Sequence, residues 1–399
     1  MKQVTLKIIE ITEYQTKYFE PDDIPPEAGI KLYEKYTAQV DVEFPNYITR
    51  HQGYLKAKGW VGYIPLSSEI AIKINPKVSI VNLFAMLEYA YNLKSFRFLE
   101  GQMNCESLEG FYNKLAYILA QKVLERCRKG LYRTYLPKTE NISYVRGKLN
   151  LQQIIQKPWE VKLKCQYEEH TADVAENQIL AWTLHIIGYS GLCSDKVSAI
   201  VRKAYHALQG LVTLQTYTAE DCIQRQYNRL NEDYQILHAL CRFFLENTTP
   251  SHEKGNNTTL PFLVNMERLY EIFVAEWLKF HLPSNLTLKS QERINIGKNI
   301  YFKTDLILYD TATITPKYII DTKYKAPDSP SSEDIAQVVA YAVSKNCQEV
   351  TLVYPTALTH TLNTFIGNIR VRSLTFALND HLDIAGQTFL NELLYATSK

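Results

Sequence analysis

Asp305, Asp321 and Lys323 form the pattern D-x(15)-D-x-K, a set of residue types suited to chemistry on phosphate esters. In an extended chain, residues i and i+2 project to one face, so Asp321 and Lys323 in "YIIDTKYK" sit side by side. The preceding apolar run "IYFKTDLILYD" puts Asp305 inside a second strand, and a short turn with Pro316 joins the two as a hairpin. Pairing Asp305 near Asp321 gathers two carboxylates and one ammonium at one point, which is costly unless the charges are paired or bind a metal. Two carboxylates with the main-chain carbonyl of Thr322 make an oxygen-only set suited to Mg²⁺, with Mn²⁺ as an alternative. A lysine beside it can help deprotonate a water or stabilise charge on a phosphorane-like transition state.

Two helices offer further parts. Glu271, in "MERLYEIFV", precedes the first strand and supplies a third carboxylate. In "DIAQVVAYA", Gln337 and Tyr341 are i and i+4, so they share a helix face and can orient Lys323 or a phosphate. Each member has an ordinary reading as well. Asp321 and Lys323 can be a solvated pair, Glu271 a surface helix residue, and Gln337 and Tyr341 plain surface and packing residues. The order of all of them along one chain is what points to metal-dependent phosphodiester hydrolysis.

Around these residues the chain divides by texture. The first hundred residues read as β: "QVTLKIIEIT", "AQVDVEF", "GWVGYIPL" and "EIAIKINPK" are short, β-branched or alternating, and separated by Gly, Pro and Asn. A helix carrying Leu83, Phe84, Leu87 and Tyr91 follows. From Leu108 helical stripes take over (Phe111, Leu115, Ile118, Leu119 and Leu124, then Ile179, Leu180 and Leu184, then Tyr234, Leu237, Leu240 and Phe244), and Gly130 marks a stop. The polar stretch "NTTPSHEKGNNTTL", residues 247–260, reads as a linker or exposed loop. Beyond it the pattern predicts a helix over about 263–281, strands over 299–309 and 317–324, a helix over 333–345, strands over 349–354 and near 370–377, and a last helix with Phe389, Leu390, Leu393 and Leu394. The expected division is a β-rich domain over 1–105, a helical region over 106–250 and an α/β domain over 251–399, a multidomain α+β chain overall.

Composition narrows the function classes. A length of 399 residues suits two or three domains, and 46% apolar residues exclude wholesale disorder. A net charge of +2 means that a nucleic-acid surface would have to be local. Seven scattered cysteines with no C-x-x-C fit reduced thiols better than a disulfide frame or a zinc site. No apolar run is long enough for a membrane helix and none resembles a signal peptide, so the expectation is a cytoplasmic protein with no membrane partner.

The order Glu271, Asp305, Asp321-Thr322-Lys323 and Gln337-x-x-x-Tyr341 resembles the PD-(D/E)XK nuclease core with the Q-x-x-x-Y addition of RecB-type nucleases. Thr304 stands where proline is common before the first aspartate. Upstream, "INPKVSIVNLFAMLEYAYNL" (74–93), "VRGKLN" (145–150) and "DVAENQILAWTL" (173–184) are similar to blocks of the McrC family, the nuclease subunits of McrBC-type modification-dependent restriction systems. The resemblance implies a C-terminal nuclease domain with a mixed sheet. It also implies double-stranded DNA as substrate, and a McrB-like AAA+ GTPase hexamer as a partner that recognises modified DNA. Consistent with a separate motor, the chain has no G-x-x-x-x-G-K-[ST]; "IGKN" and "RGKL" lack the upstream glycine and the Ser/Thr. The β-rich front would then dock the partner.

Two basic features stay open between function and structure. Arg126, Arg128, Lys129, Arg133 and Lys138, beside Tyr132 and Tyr135, can grip a DNA backbone or form a solvated helix end favoured by the macrodipole. Arg146 and Lys148 around Gly147 can serve DNA or the partner, or be exposed charges at a turn. Two other functions fit the same residues: a stand-alone repair or resolving nuclease, and a non-catalytic adaptor that stimulates an AAA+ ring.

Overall fold

The computed structural model describes residues 6–47, 52–67, 69–91, 107–156, 159–223, 225–248, 260–297, 300–325, 327–378 and 381–395. The front of the chain runs β1 (Lys7–Thr12), β2 (Thr16–Phe19), α1 (Pro26–Lys35), β3 (Val40–Glu43), β4 (Gly53–Ala57), β5 (Trp60–Pro65), β6 (Ile70–Asn75) and α2 (Ile80–Ala90). The middle contributes α3 (Leu108–Lys129), β7 (Thr134–Ile142), β8 (Lys148–Leu149), α4 (Leu151–Gln156), β9 (Leu163–Thr171), α5 (Ala175–Tyr189), α6 (Asp195–Leu208) and α7 (Tyr234–Asn247). The back holds β10 (Phe262–Asn265), α8 (Met266–His281), β11 (Leu286–Asn295), β12 (Tyr301–Asp310) and β13 (Pro316–Thr322). It continues through α9 (Ser332–Lys345), β14 (Glu349–Tyr354), β15 (Asn363–Ile366), β16 (Ile369–Thr375) and α10 (Leu382–Tyr395).

These elements form two compact units, Met1–Phe111 with Ser251–Lys399, and Tyr112–Pro250. The sequence suggested separate front and back domains; the structure puts both in one unit. The reason is β10, which completes a four-stranded sheet in the order β1-β6-β5-β10 by pairing antiparallel with β5. Its Leu263 is buried with Ile9, Ile64, Ile72 and Leu55 of the front half. Burying such side chains is worth about 1.5–3 kcal/mol each, so the two segments share one core. The helix expected from about 263 therefore begins at Met266, after this strand, with Asn265 as its cap. Of the polar stretch 247–260, residues 249–259 lie outside the described residues, while Asn247, Thr248 and Leu260 are buried.

The six-stranded sheet of the back half has the order β11-β12-β13-β14-β16-β15. It is mixed: β13 runs parallel to β14 and β14 to β16, and the outer pairs are antiparallel. Helix α9 is capped at its start by Ser331, whose hydroxyl accepts from the Asp334 amide, and at its end by Asn346 in a left-handed conformation. Its Val338, Tyr341 and Ala342, spaced i, i+3 and i+4, pack with Ile307, Ile319, Leu352 and Val371 of the sheet. This packing fixes α9 over the strands that carry the acidic residues.

The unit Tyr112–Pro250 is not purely helical, as its apolar stripes suggested. Strands β7 and β9 pair antiparallel along their full length, Thr134 opposite Thr171 through Ile142 opposite Leu163. Strand β7 is mostly exposed and β9 fully buries only Cys165, so neither has a continuous apolar face and no alternation marks them in the sequence. Strand β11, also unmarked, is an edge strand of the same kind. Helices α5 and α7 are tied by Asn177, fully buried, which accepts from the Tyr234 hydroxyl at 2.5 Å and donates to the carbonyls of Tyr132 and Ala172.

His238 of α7 is fully buried in the same layer. Its Nε2 lies 3.0 Å from the Glu176 carbonyl, which only accepts, so Nε2 carries the hydrogen and Nδ1 accepts from the Tyr227 hydroxyl at 2.8 Å. Burial lowers its pKa to about 4, below the roughly 6.5 of an unfolded chain. Between those values the unfolded state binds the proton and the folded state does not. This stability is therefore complete above about pH 6.5 and declines as pH falls toward 4, by on the order of 3 kcal/mol in total. Urea unfolding at pH 7 and pH 5 should show wild type losing more stability on acidification than His238→Gln. Equal losses would contradict the assignment.

Candidate active site

Strand β12 carries Asp305 in the middle of a buried run, and β13 ends at Thr322, one residue before Lys323. The expected strand to 324 is thus shorter, but the two charges still meet. The Lys323 ammonium is 2.8 Å from Asp321 Oδ2, as an ion pair. The hairpin register pairs Leu306 with Ile320, which sets Asp305 against the end of β13. There Asp305 Oδ2 accepts from the Thr322 amide at 2.8 Å and from its hydroxyl at 3.0 Å. Thr304, in the position where proline is common, is fully buried, and its hydroxyl donates to the Glu292 carbonyl at 3.3 Å.

Helix α9 holds the lysine from the other side. Gln337 Oε1 accepts from Lys323 Nζ at 3.1 Å, and Gln337 Nε2 donates to the Tyr341 hydroxyl at 2.5 Å. An ammonium can only donate, so this contact orients the amide and leaves its NH₂ for tyrosine. Tyr341 is buried edge-on against Phe302, with ring centroids 5.4 Å apart. Sequence reasoning missed Asp334, which caps nothing visible in the primary structure yet stands 3.5 Å from Lys323 and 2.5 Å from Lys325. It also missed Gln291. That residue faces Asp305 across β11 and β12, in a register that is continuous on both sides, and adopts φ 55. Such a conformation is uncommon outside glycine. Its side-chain amide donates to the Glu271 carboxylate.

The electrostatics follow from crowding like charges in a buried place. Burial, then the charge of Asp305, pushes the carboxyls of Glu271 and Asp321 well above the usual carboxylate range. Burial also raises Asp305, against the hydrogen bonds from Thr322. Lys323 is pulled down by burial, but Asp321, Asp334 and Asp305 outweigh that and raise its pKa, so it is an ammonium at neutral pH. Asp321 stays raised despite its ion pair because one cation does not offset burial and a neighbouring carboxylate.

Among the described residues, no three Asp, Glu, His or Cys side chains form a ready-made metal cage. The donors nevertheless fit Mg²⁺, which is commonly held by one or two carboxylates and keeps its remaining positions for water and phosphate. Asp321 Oδ2 is buried without a well-aligned hydrogen bond, and a second carboxylate repels it. A hard divalent cation would relieve both. Asp305, Asp321 and the Thr322 carbonyl are the groups that could hold it, with Glu271 as a further carboxylate nearby.

In the unit Tyr112–Pro250, the basic stretch splits in two. Arg126 donates to the Leu230 carbonyl at 3.2 Å, pairs with Asp233 at 3.3 Å and lies over the Tyr234 ring. Lys138 pairs with Glu140 and Glu169. Arg128, Lys129 and Arg133 are exposed. In the second basic motif, Arg146 covers the Tyr167 ring at 4.0 Å and Lys148 is exposed on β8. Gly147 between them has φ 68, and a Cβ there would lie 2.2 Å from the Gln166 carbonyl. Only glycine fits that turn.

The fold and this cluster define a mixed α/β protein with a buried centre of carboxylates and one lysine at the end of a central strand. A model of the family described as McrBC 5-methylcytosine restriction system component matches residues 55–355, more than half of the chain, and the chain belongs to that family. It is 26% identical over 224 residues to the Type IV methyl-directed restriction enzyme EcoKMcrBC of Escherichia coli (strain K12). That match covers 54% of this chain and 63% of the relative, less than two thirds of its length. It shares a fold with a chain in the solved half-complex from the tetradecameric assembly of Thermococcus gammatolerans McrB AAA+ hexamers with bound McrC. The TM-score is 0.57 at 17% identity, over 97% of this chain and 100% of that one.

The split of the basic stretch is measurable. Arg126→Ala should cost about 1–3 kcal/mol in chemical denaturation, because it strips partners from Asp233 and the Leu230 carbonyl. Arg128→Ala and Lys129→Ala should stay within about 0.5 kcal/mol of wild type. Equal effects at the three positions would contradict this division.

Proposed function

We propose that this protein is the DNA-cleaving subunit of a McrBC-like restriction complex. In this reading it is a Mg²⁺-dependent endonuclease that works with a GTP-hydrolysing AAA+ hexamer, which recognises the modified DNA. The observation that supports it best is the convergence of Asp305, Asp321 and Lys323 on one buried point, backed by Gln337 and Tyr341. The family membership and the assembly seen in the Thermococcus gammatolerans complex support the choice of partner. The β-rich front, residues 1–105, is our candidate for meeting that partner. Because it shares a core with β10, the role of the two segments is better tested by point substitutions than by a fragment starting at Leu260.

In this scheme Asp305 and Asp321 would hold a divalent cation beside the scissile phosphate. Thr322 pins Asp305 through two hydrogen bonds, so that carboxylate needs no reorganisation during the reaction. When bound, Mg²⁺ lowers the pKa of a water and screens the phosphate charge. Lys323, paired with Asp321, would stabilise charge on the phosphate oxygens or help deprotonate a water. Gln337, fixed by Tyr341, keeps the ammonium aimed. Glu271 would add a third carboxylate beside Asp305.

Full-length variants combined with the motor subunit test this reading. Asp305→Ala, Asp321→Ala and Lys323→Ala should each lose cleavage by about 10²-fold or more, and Gln337→Ala should lose less. Asp321→Asn should unfold at the wild-type temperature or above it, since it removes a repelled buried charge. Mg²⁺ or Mn²⁺ should restore activity after EDTA treatment. Full cleavage by Asp321→Ala, or cleavage that survives exhaustive EDTA, would overturn the proposal.

A further inference from the structure

Another buried carboxylate, far from Asp321 in sequence, meets the chain just after Lys323. Glu13 is fully buried at the turn after β1, and its Oε2 accepts no hydrogen bond among the described residues. Its Oε1 accepts from the Lys77 amide at 2.7 Å and from the Tyr324 hydroxyl at 2.8 Å. Burying a carboxylate for packing alone is unfavourable, so its placement needs a reason. Tyr324, itself buried, is the residue directly after Lys323.

The next residue on the same turn reaches the same target. Tyr14 adopts φ 62, a rare conformation for a bulky side chain, of the kind that persists only where its surroundings over-determine it. Its amide donates to the Ala57 carbonyl, and the Glu13 amide donates to that of Asn75. The Tyr14 hydroxyl stands 3.2 Å from the Tyr324 carbonyl and 3.0 Å from Glu267 Oε1, sharing its hydrogen between them. A Cβ on Gly59 would lie 2.5 Å from that hydroxyl, so the close approach depends on glycine. The front turn therefore holds Tyr324 at both its phenol and its main chain. The chain on either side of Tyr324 is held in turn, with the Lys323 amide on the Val353 carbonyl and the Lys325 amide on the Lys323 carbonyl, each at 2.8 Å.

We propose that Glu13, with Tyr14, is a positioning residue for Lys323: from the front sheet it clamps Tyr324 and so fixes where the adjacent ammonium sits at the carboxylate centre. The inference rests on the nuclease reading for its purpose and not for its geometry. It makes the front sheet and the site one mechanical piece, so that a shift of the Glu13 turn moves the lysine. A small displacement of an aligned group costs rate far more than it costs binding.

The test uses full-length Glu13→Ala, Glu13→Gln and Tyr324→Phe. Two readouts need neither DNA nor cation: trace acylation of Lys323 by a succinimidyl ester, read by peptide mass spectrometry, and amide hydrogen exchange at Lys323 and Lys325. In Glu13→Ala and Tyr324→Phe both should rise severalfold over wild type, while Glu13→Gln, whose amide oxygen still accepts from Tyr324 and Lys77, should stay near wild type. With the motor present, kcat for DNA cleavage should fall about tenfold in Glu13→Ala while KM for DNA holds within about twofold. Unchanged Lys323 labelling and exchange in folded Glu13→Ala would overturn the proposal, leaving Glu13 as a packing residue. If Glu13→Ala does not fold, Tyr324→Phe is judged by the same criteria. A wild-type chain that cuts no DNA refutes the nuclease reading and leaves the labelling and exchange result standing on its own.

Discussion

The constraint on which the back half turns is the burial of Asp305 and Asp321 beside each other with one ammonium to share. Burial raises the pKa of both carboxyls, and the charge of Asp305 raises Asp321 further, so both resist ionisation. A fold tolerates this only if other contacts hold the groups in position. Here the strands supply the main-chain register, Thr322 supplies two donors to Asp305, and α9 supplies the amide that holds Lys323. Unrelieved repulsion of this kind is expected where a function uses the charge, because a purely structural site would be easier to build from apolar residues.

From that constraint the surrounding architecture becomes intelligible. A helix capped by Ser331 and stopped by Asn346 carries Tyr341 in its buried face and the exposed Gln337 one turn before it. A left-handed residue in an edge strand, Gln291, turns its amide onto Glu271. A turn from a different sheet ties down the residue after the lysine. The supports come from three separate stretches of sequence, held together because β10 joins the front sheet.

The other unit is organised by a different balance. There polar side chains are buried and satisfied: Asn177 links Tyr234 to the main chain, and neutral His238 bridges Tyr227 and Glu176. Arg126 belongs to this internal network, whereas Arg128, Lys129, Arg133, Arg146 and Lys148 face solvent. A run of basic residues in the sequence thus contains members with opposite roles, and only the neighbours each one finds separate them.

The sequence by itself determined the elements whose apolar pattern is regular: the strands around Ile9, Ile64 and Ile72, helices α3, α5, α7 and α9, and the β12–β13 hairpin with its acidic pair. Periodicity encodes these because each buries one face. Residues of the candidate site were legible where types and spacing were distinctive, as for Asp321, Lys323, Gln337 and Tyr341. The tertiary structure alone decided what depends on non-local contact. Strands β7, β9 and β11 bury no continuous face and so leave no pattern. The pairing of β10 with β5 joins segments some two hundred residues apart, a choice made by the shared core around Leu263 rather than by local propensity. Gln291, Asp334 and Glu13 act through partners supplied by other elements, and a side chain's partner across a fold is not written in its own neighbourhood of sequence.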